Sequence, residues 1–244
     1  MKKIKPLPAA DMEILRKTDT ATVCNLIELF DVRPRTSGYM DGRIKACFPQ
    51  FPPMVGYATT ASFRSSAPCH IDAYAAQEEQ IASMVEADAP TVVVFQDLDD
   101  PTVAATFGEV MCSTYQAFGG QGLITSGAGR DLKQVSELGF PVFTSGTICS
   151  HGNCHILHIN APVHVGGLIV NPGDLLHGDE NGVTTIPIEI ASAVAETSAE
   201  FVALEDIIIS YVKSGSVALK GLVGVRTEFR RKLGELVERV RKGN

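Results

Sequence analysis

Two residues of opposite charge, Arg130 and Asp131, follow a glycine-rich turn near the middle of the chain. An arginine offers a planar, permanently charged fork to a carboxylate, and an aspartate offers oxygen ligands to a hard divalent cation. The pair therefore suits a small anionic substrate that is held beside a metal ion. It also suits a simpler interpretation, in which Asp131 is the N-cap of a surface helix that begins at Leu132.

The segments before this pair predict how it is positioned. Apolar residues recur at roughly helical spacing over Glu109–Phe118, and a glycine pair ends that helix. The run Gly122–Thr125 has the length and the branched side chains of a buried strand. A tight turn over Ser126–Gly129 would then deliver Arg130 at the carboxyl edge of a sheet, where ligands of α/β proteins bind.

Helical and strand patterns alternate through the first part of the chain. We predict helices over Ala9–Lys17, Thr20–Phe30, Ile71–Ala87 and Asp131–Leu138, and strands near Ile44 and over Met54–Phe63, Thr91–Phe95 and Pro141–Thr144. Asp11 and Thr20 are the expected caps of the first two helices. The β-α-β succession, with connections of a dozen residues or more between strands, implies parallel pairing and a layered α/β core.

The second part of the chain is richer in short strands. Strands are predicted over Ile156–Asn160, His164–Val170, Asp174–His177 and Val183–Pro187, followed by a long helix from about Glu189. We interpret His164 and His177 as structural histidines within these strands. Basic residues of the C-terminal segment, 226–242, alternate with glutamates, which favours a solvated helix face over an RNA-binding arm.

Composition limits the class of protein. The chain has 244 residues with 45% hydrophobic content, enough for one large domain, and a formal net charge of −7. That charge argues against a nucleic-acid partner, because phosphate binding needs a concentrated basic face. The basic start has no apolar run behind it, and no stretch is long and apolar enough for a membrane span. We therefore expect a cytoplasmic protein without a membrane partner.

Two further groups of residues could bind metals. Six cysteines lack a CxxC pair, and free thiols are the expected state in a reducing compartment. The segment 149–158 combines two cysteines with three histidines, which invites a zinc interpretation, although the spacing is irregular. The acidic residues Asp97, Asp99 and Asp100 could bind a cation, but we favour an ordinary solvated turn.

Glu109 is separated from Arg130 and Asp131 by twenty residues, and this spacing resembles the signature of the RraA-like family. That family includes the class II 4-hydroxy-4-methyl-2-oxoglutarate/4-carboxy-4-hydroxy-2-oxoadipate aldolases. The first acid of this signature is usually Asp in the aldolases. Glu109 is therefore longer by one methylene group than the residue usual at that position. Met54–Ala61, Phe140–Phe143 and Asn160–Val183 also resemble the family, so the likeness spans roughly residues 20–190.

The resemblance implies a swivelling β/β/α layered fold. It implies a single domain over residues 1–244, with its core at about 20–190 and a C-terminal helical extension over 189–244. It also implies a homotrimer or hexamer with sites at the subunit interfaces. The implied activity is a metal-dependent lyase that releases pyruvate from a 4-hydroxy-2-oxo acid. Oxaloacetate decarboxylation would accompany it, because both reactions pass through the enolate of pyruvate.

The resemblance also assigns roles in substrate binding. Arg130 would pair with the carboxylate or keto oxygen of a small 2-oxo acid, and the backbone N–H groups of Val110 and Met111 would hold the carboxylate. Glu109 would position a water that relays a proton. The distal end of the substrate would be read by two loops, Arg33–Pro53 and Arg64–His70.

Metal binding is assigned by the same resemblance. Asp131 would bind Mg²⁺ (or Mn²⁺) mostly through waters. A carboxylate from the helical extension of a neighbouring subunit would reach the same site, and we favour Glu205 over Asp206 for this role.

Two alternatives remain open at the level of sequence. The family's namesake inhibits a ribonuclease through surface contacts, so this chain could be a protein-binding regulator. That namesake lacks the acid of the Arg-Asp pair, and the pair retained here favours the enzyme. The chain could also be a lyase for another hydroxy-oxo acid.

Overall fold

The computed structural model of the chain describes residues 3–68, 70 and 72–242. Its helices are α1 (Ala9–Leu15), α2 (Thr20–Phe30), α3 (Ala73–Ala87), α4 (Glu109–Ala117), α5 (Leu132–Glu137), α6 (Ala191–Lys213) and α7 (Leu219–Lys242). Its strands are β1 (Lys45–Ala46), β2 (Met54–Arg64), β3 (Thr91–Asp97), β4 (Ala105–Phe107), β5 (Gly120–Thr125), β6 (Ala128–Gly129), β7 (Val142–Thr144), β8 (Gly146–Thr147), β9 (His155–Leu157), β10 (Val163–Val165), β11 (Leu168–Val170), β12 (Leu175–Asp179) and β13 (Gly182–Ile186).

The main sheet has eight strands, in the order β1-β7-β5-β3-β2-β12-β13, with β9 paired to the far end of β2. The strands β2, β3, β5 and β7 pair in parallel, which confirms the predicted α/β core. Three helices, α3, α4 and α5, lie in the connections between these four strands, because parallel pairing needs a long crossover. The edge strand β1 is antiparallel to β7.

The side chains of β3 point alternately to the two faces of this sheet. Val93 and Phe95 point to the face that is covered by α3 and α4, whereas Val92 and Val94 point to the face that is covered by β10 and β11. All four side chains are fully buried. A continuous apolar run of this kind is typical of a central parallel strand that is covered on both faces.

The hairpin β10–β11 corrects one sequence prediction. A single strand over His164–Val170 is wrong, because Gly166 and Gly167 turn the chain at φ angles of 54° and 78°. Two consecutive residues of positive φ are what a two-residue hairpin loop requires, and glycine supplies them without steric cost. The resulting hairpin packs Val163, Val165 and Val170 onto the sheet.

The caps predicted for the first two helices are also wrong. Pro8 stands at the N-cap of α1, and Asp19 caps α2 by accepting a 2.9 Å hydrogen bond from the N–H of Thr22. The hydroxyl of Thr20 lies instead 2.9 Å from Nδ1 of the buried His177. The Thr20 side chain is therefore part of a buried polar network and is not available as a cap.

The C-terminal helices pack against the start of the chain. α6 contacts α1, α2 and α7, and Leu236 of α7 is buried in the same apolar cluster as Leu26 of α2. The Arg241 side chain donates a 2.8 Å hydrogen bond to the carbonyl oxygen of Leu29, and Arg239 pairs with Glu200 of α6. Across the described residues, no helix has the combination of length and apolar character that a membrane crossing would need.

A second, three-stranded sheet is formed by β4, β6 and β8, all parallel. Its strands of two or three residues lie just beyond the carboxyl end of the main sheet, since β6 follows β5 after Ser126 and Gly127. The predicted tight turn over Ser126–Gly129 therefore contains a short strand. This small sheet carries Arg130 into place directly after β6.

Candidate active site

The start of α4 and the start of α5 are joined at Asp131. Asp131 occupies the N-cap position of α5 in the left-handed region, at φ 55° and ψ 34°, but its side chain makes no capping bond to α5. Its Oδ2 instead accepts a 3.1 Å hydrogen bond from the backbone N–H of Glu109 in α4. Asp131 therefore stands at the N-cap position of α5, as the simpler interpretation predicted, but its side chain does not cap that helix.

Arg130 is held by its backbone and by its neighbour. Its N–H donates a 3.1 Å hydrogen bond to the carbonyl oxygen of Phe107, and its Nη1 lies 3.7 Å from Oδ2 of Asp131. The two side chains are about one third exposed, at 35% and 30%. Both charged groups are thus partly shielded but remain open to a ligand.

Gly108, the N-cap of α4, permits this close arrangement. A Cβ at that position would lie 2.6 Å from Oδ2 of Asp131 and 3.2 Å from Nε of Arg130. The first distance is shorter than real Cβ contacts, so any side chain at residue 108 would displace the Asp131 carboxylate. Close approach, and not backbone strain, favours glycine here, since its φ of −152° is ordinary extended backbone.

A cavity of about 390 Å³ opens beside this arrangement. That volume lies within the roughly 300–1,000 Å³ of small-molecule sites. Three of the predicted site residues, Arg130, Val110 and Met111, line it. The described residues that complete its wall are Tyr74, Gln77, Ala105, Thr106, Phe107, Gly108, His151, Gly152 and Cys154.

The first turn of α4 presents free donors to this cavity. The N–H of Cys112 bonds to the carbonyl oxygen of Gly108, and the N–H of Glu109 bonds to Asp131. Within the described part of the chain, the N–H groups of Val110 and Met111 have no acceptor. Unpaired donors at a helix N-terminus, beside a guanidinium, favour a bound carboxylate.

The remaining predicted residues lie outside the cavity wall. Glu109 is exposed at the start of α4, next to the Asp131 carboxylate. Glu205 is half-buried on α6, where burial and the nearby charge of Asp19 raise the pKa of its carboxyl. Asp206 is exposed and accepts a 2.9 Å hydrogen bond from Ser210. Within one chain α6 packs against α1, α2 and α7, so a role for Glu205 in a neighbouring subunit's site stays a prediction.

The described residues near Arg130 offer a divalent ion a single carboxylate ligand, Asp131, rather than a cluster of ligands. Among the described residues, no three His, Cys, Asp or Glu side chains come together to hold a metal ion. A Mg²⁺ ion, however, keeps several waters and needs only one or two carboxylates. Asp131 fits this requirement, because its Oδ1 has no hydrogen bond to the described residues and its side chain is 30% exposed.

The zinc interpretation of residues 149–158 receives no support from the described residues. Cys149 and His151 are exposed, whereas His155 is buried in β9, and Nδ1 of His158 lies 2.7 Å from the Ser62 hydroxyl. The side chains therefore point to different surroundings. Two of the five, His151 and Cys154, line the cavity beside Arg130.

Protein donors satisfy the carboxylate of Asp99 in the acidic turn after β3. Oδ2 of Asp99 accepts hydrogen bonds from the N–H groups of Ser65 and Ser66, at 2.7 and 3.0 Å. Burial opposes ionisation of Asp99, but these bonds lower the pKa of its carboxyl. Asp99 thus joins this turn to the chain after β2, and the solvated turn favoured from the sequence is wrong for this residue, whose side chain is 7% exposed.

Sequence reasoning missed the part of the cavity wall that is formed by α3 and the segment 151–154. Tyr74 and Gln77 of α3 line it together with the segment 151–154, and none of these residues is near Arg130 in sequence. Within one chain, no residue of the loop Arg33–Pro53 lines the cavity, so the expectation that this loop reads the distal end of the substrate stays a prediction. The Arg33 side chain instead bonds to Thr184 and Thr185 of β13. The described residues of the loop Arg64–His70 also lie outside the wall.

Comparison with known proteins identifies the relatives of this chain. The sequence model of the RraA-like family, described as Aldolase/RraA, matches residues 20–185. A protein of Halalkalibacterium halodurans named "Putative 4-hydroxy-4-methyl-2-oxoglutarate aldolase" is 36% identical over 108 residues, which cover 44% of this chain and 51% of that protein. The match thus spans about half the length of this curated relative.

Solved structures agree with this fold. A protein of Pseudomonas syringae superposes with a TM-score of 0.71 at 22% identity, covering 93% of this chain and 98% of the other. The Streptomyces coelicolor protein RraAS2, a member of the RNase ES inhibitor RraA family, superposes with a TM-score of 0.66 at 21% identity, covering 83% and 97%. These likenesses extend to the fold alone, and they confirm the predicted RraA-like α/β fold with C-terminal helices.

Proposed function

The chain belongs to the RraA-like family, and we propose that it is a lyase that cleaves a 4-hydroxy-2-oxo acid and releases pyruvate. One observation carries the proposal. The Arg130 guanidinium and two unpaired N–H groups of α4 lie at one cavity of about 390 Å³, and the Asp131 carboxylate lies 3.7 Å from the guanidinium. A group of donors at a cavity, with one carboxylate beside it, suits the charged end of a 2-oxo acid.

Substrate binding follows from the donors present. The N–H groups of Val110 and Met111 would hold the carboxylate of the oxo acid, with the positive end of the α4 dipole behind them. Arg130 would donate to the keto oxygen and the carboxylate together, because its fork presents parallel N–H groups. The oxo acid would then extend from Arg130 toward α3 across the cavity.

The reaction breaks the bond between C3 and C4 of the substrate. A water held by Glu109 would take the proton of the C4 hydroxyl, so that C4 becomes a carbonyl carbon. The electron pair of the broken bond passes to C3 and C2, and negative charge develops on the former keto oxygen. Arg130 would stabilise that charge, and C3 would then take a proton from water to give pyruvate.

Asp131 would hold a divalent ion, Mg²⁺ or Mn²⁺, largely through waters. When bound, such an ion supplies Lewis acidity at the keto oxygen. The positive charge of Arg130 partly offsets the negative charge of Asp131. The hydrogen bond from the N–H of Glu109 holds the Asp131 carboxylate in its orientation. We propose further that the protein forms a trimer or hexamer, in which Glu205 of a neighbouring subunit contributes to the same site. Oxaloacetate decarboxylation and a cytoplasmic location are also part of the proposal.

The test uses purified protein with 4-hydroxy-4-methyl-2-oxoglutarate and, separately, oxaloacetate. Pyruvate is measured with magnesium, with manganese and with a chelator. We expect pyruvate from both substrates, and loss of the activity in the chelator. Failure to release pyruvate from either substrate with every metal would overturn the proposal.

A further inference from the structure

We infer that His151 is a catalytic residue of this site, the base that takes up the proton of the C4 hydroxyl group of the substrate. The inference rests on the proposed function, because it needs a 4-hydroxy-2-oxo acid whose oxo-acid end is bound at Arg130. In that reaction a water held by Glu109 receives the hydroxyl proton first. A water molecule does not retain a proton at neutral pH, whereas an imidazole nitrogen does.

His151 lies in the wall of the same cavity as Arg130. In the proposed binding mode the oxo acid extends from Arg130 toward α3, and Tyr74 and Gln77 of α3 line the cavity together with His151. The C4 end of the substrate therefore comes to the part of the wall that contains the imidazole. Glu109 does not line this wall, and its role is to hold the water that lies between the hydroxyl group and the base.

The tautomer of His151 is set by its neighbour in the chain. Nδ1 lies 2.8 Å from the carbonyl oxygen of Gly152, which can only accept, so Nδ1 carries the proton. In the neutral ring Nε2 then has a lone pair, and it makes no hydrogen bond within the described part of the chain. A general base needs a free lone pair at a fixed atom, and Nε2 of His151 meets this requirement.

The backbone on both sides of the imidazole is fastened to strands. The N–H of Ala105 in β4 donates a 2.7 Å hydrogen bond to the carbonyl oxygen of Ser150, and the N–H of Asn153 donates a 3.0 Å bond to that of Ser65, just after β2. Gly152 lies between these bonds at a φ of 51°, where a Cβ would lie 2.9 Å from the Ser65 oxygen. The segment is thus held closely in place, as the positioning of a catalytic group requires.

The proposed step balances with this one base. Nε2 takes the hydroxyl proton through the water, the electron pair of the O–H bond forms the C4 carbonyl, and the C3–C4 bond breaks. Its electrons pass to C3 and C2, and the charge on the former keto oxygen faces Arg130. His151 is exposed, so the imidazolium releases its proton to solvent, and C3 takes one from water. Oxaloacetate has no C4 hydroxyl group and loses CO2 without releasing a proton, so its decarboxylation needs Arg130 but not His151.

This difference between the two substrates provides the experiment. Pyruvate release from 4-hydroxy-4-methyl-2-oxoglutarate and from oxaloacetate is measured at saturating magnesium. In His151→Ala we expect kcat for the hydroxy-oxo acid to fall at least about 100-fold, while kcat for oxaloacetate stays within about threefold of the wild type. His164→Ala is the matched control, since His164 is exposed on β10 and does not line the cavity. Both rates should be unchanged in this control.

Two further measurements separate the loss of a base from damage to the site. Pyruvate has no hydroxyl group, so its affinity, measured by calorimetry with magnesium, should be equal in His151→Ala and the wild type. Added imidazole should raise cleavage of the hydroxy-oxo acid by His151→Ala at least about tenfold, because it replaces the missing base at an exposed position. Weakened pyruvate binding without a response to imidazole would contradict the inference, because it would mean that His151 only shapes the site.

The outcomes distinguish this inference from the function on which it rests. Wild-type cleavage that persists in His151→Ala, or an equal loss of cleavage and decarboxylation, would overturn the inference and leave the lyase in place. A wild-type protein that cleaves no hydroxy-oxo acid would overturn the proposed function, and the inference with it.

Discussion

The Oδ2 atom of Asp131 lies 3.1 Å from the backbone nitrogen of Glu109, so one carboxylate joins the N-terminal ends of two helices. Glu109 and Asp131 are the first and last residues of the motif that resembles the signature of the RraA-like family. The hydrogen bond leaves the next two N–H groups of α4 free for a ligand and fixes the orientation of the carboxylate. The geometry thus gives the acid that follows Arg130 a structural role at the start of α4.

Replacing Gly108 by alanine should impair the site without unfolding the protein. The added Cβ would lie 2.6 Å from Oδ2 of Asp131, so the carboxylate must move while the backbone remains unstrained. We expect kcat/KM for pyruvate release to fall about 10- to 100-fold. Gly234→Ala on α7 is the control, since its Cβ meets nothing within 4 Å. A Gly108→Ala enzyme with the kinetics of the control would contradict this explanation.

Asp131→Asn should weaken the response to magnesium. The amide oxygen can still accept from the N–H of Glu109, so the junction of the helices is retained while the negative charge is lost. The magnesium concentration for half-maximal pyruvate release should rise about 10- to 100-fold, as for other residues that bind a metal through its waters. Asp41→Asn, at an exposed carboxylate paired with Arg43, should leave it unchanged. Identical magnesium titrations for both variants would show that Asp131 has no part in metal binding.

The buried His177 should make stability depend on pH. Its Nε2 lies 2.8 Å from the carbonyl oxygen of Leu15, which can only accept, so Nε2 carries the proton and Nδ1 accepts from the Thr20 hydroxyl. Burial lowers the pKa of His177 below its ordinary value of 6.5. The unfolded state therefore binds the proton first as the pH falls, and stability that is complete above about pH 6.5 declines below it.

This expectation is checked by urea unfolding at pH 7.5, 6.5 and 5.5. The wild-type free energy of unfolding should fall between pH 6.5 and 5.5, and His177→Gln should lose much less over that interval. Asp19 and Asp99 do not affect this comparison. The pKa of each carboxyl is lowered from its ordinary value of 3.8, so each changes the free energy of unfolding only at pH values well below those measured. The same pH dependence in both proteins would exclude His177 as its source.

Leu236 should anchor the C-terminal helix to the body of the protein. It is 1% exposed and packs in the cluster that contains Leu26 and Phe201. Leu236→Ala should lower the free energy of unfolding by about 2–5 kcal/mol. Leu219→Ala is the control on the same helix, where the side chain is 79% exposed and a change within about 0.5 kcal/mol is expected. Equal effects of the two substitutions in denaturant titrations would mean that α7 is not packed as described.

The sequence predicted the elements that have strong local patterns. Thr91–Phe95 became β3 because a branched apolar run fits a strand that is covered on both faces. The helix over Glu109–Phe118 was confirmed as α4, ending one residue earlier. The small sheet of β4, β6 and β8 was missed, because strands of two or three residues are too short to show a period.

The site was predictable only on one side. Arg130, Val110 and Met111 were found through the motif, and the structure brings them to one cavity. The part of the wall formed by α3 and the segment 151–154 depends on tertiary contacts. The pairing of β9 with the far end of β2 places this segment beside α3. The tandem glycines at 166 and 167 were a usable signal for a hairpin that the strand prediction passed over.

The central claim is that Arg130 stabilises the charge that develops when a hydroxy-oxo acid is cleaved. It is tested most directly by pyruvate release from 4-hydroxy-4-methyl-2-oxoglutarate, at saturating magnesium, by the wild type, Arg130→Ala, Arg130→Lys and the exposed control Arg230→Ala. We predict that kcat falls about 10²- to 10³-fold in Arg130→Ala, falls less in Arg130→Lys, and is unchanged in the control. Wild-type turnover that persists in Arg130→Ala would contradict the account.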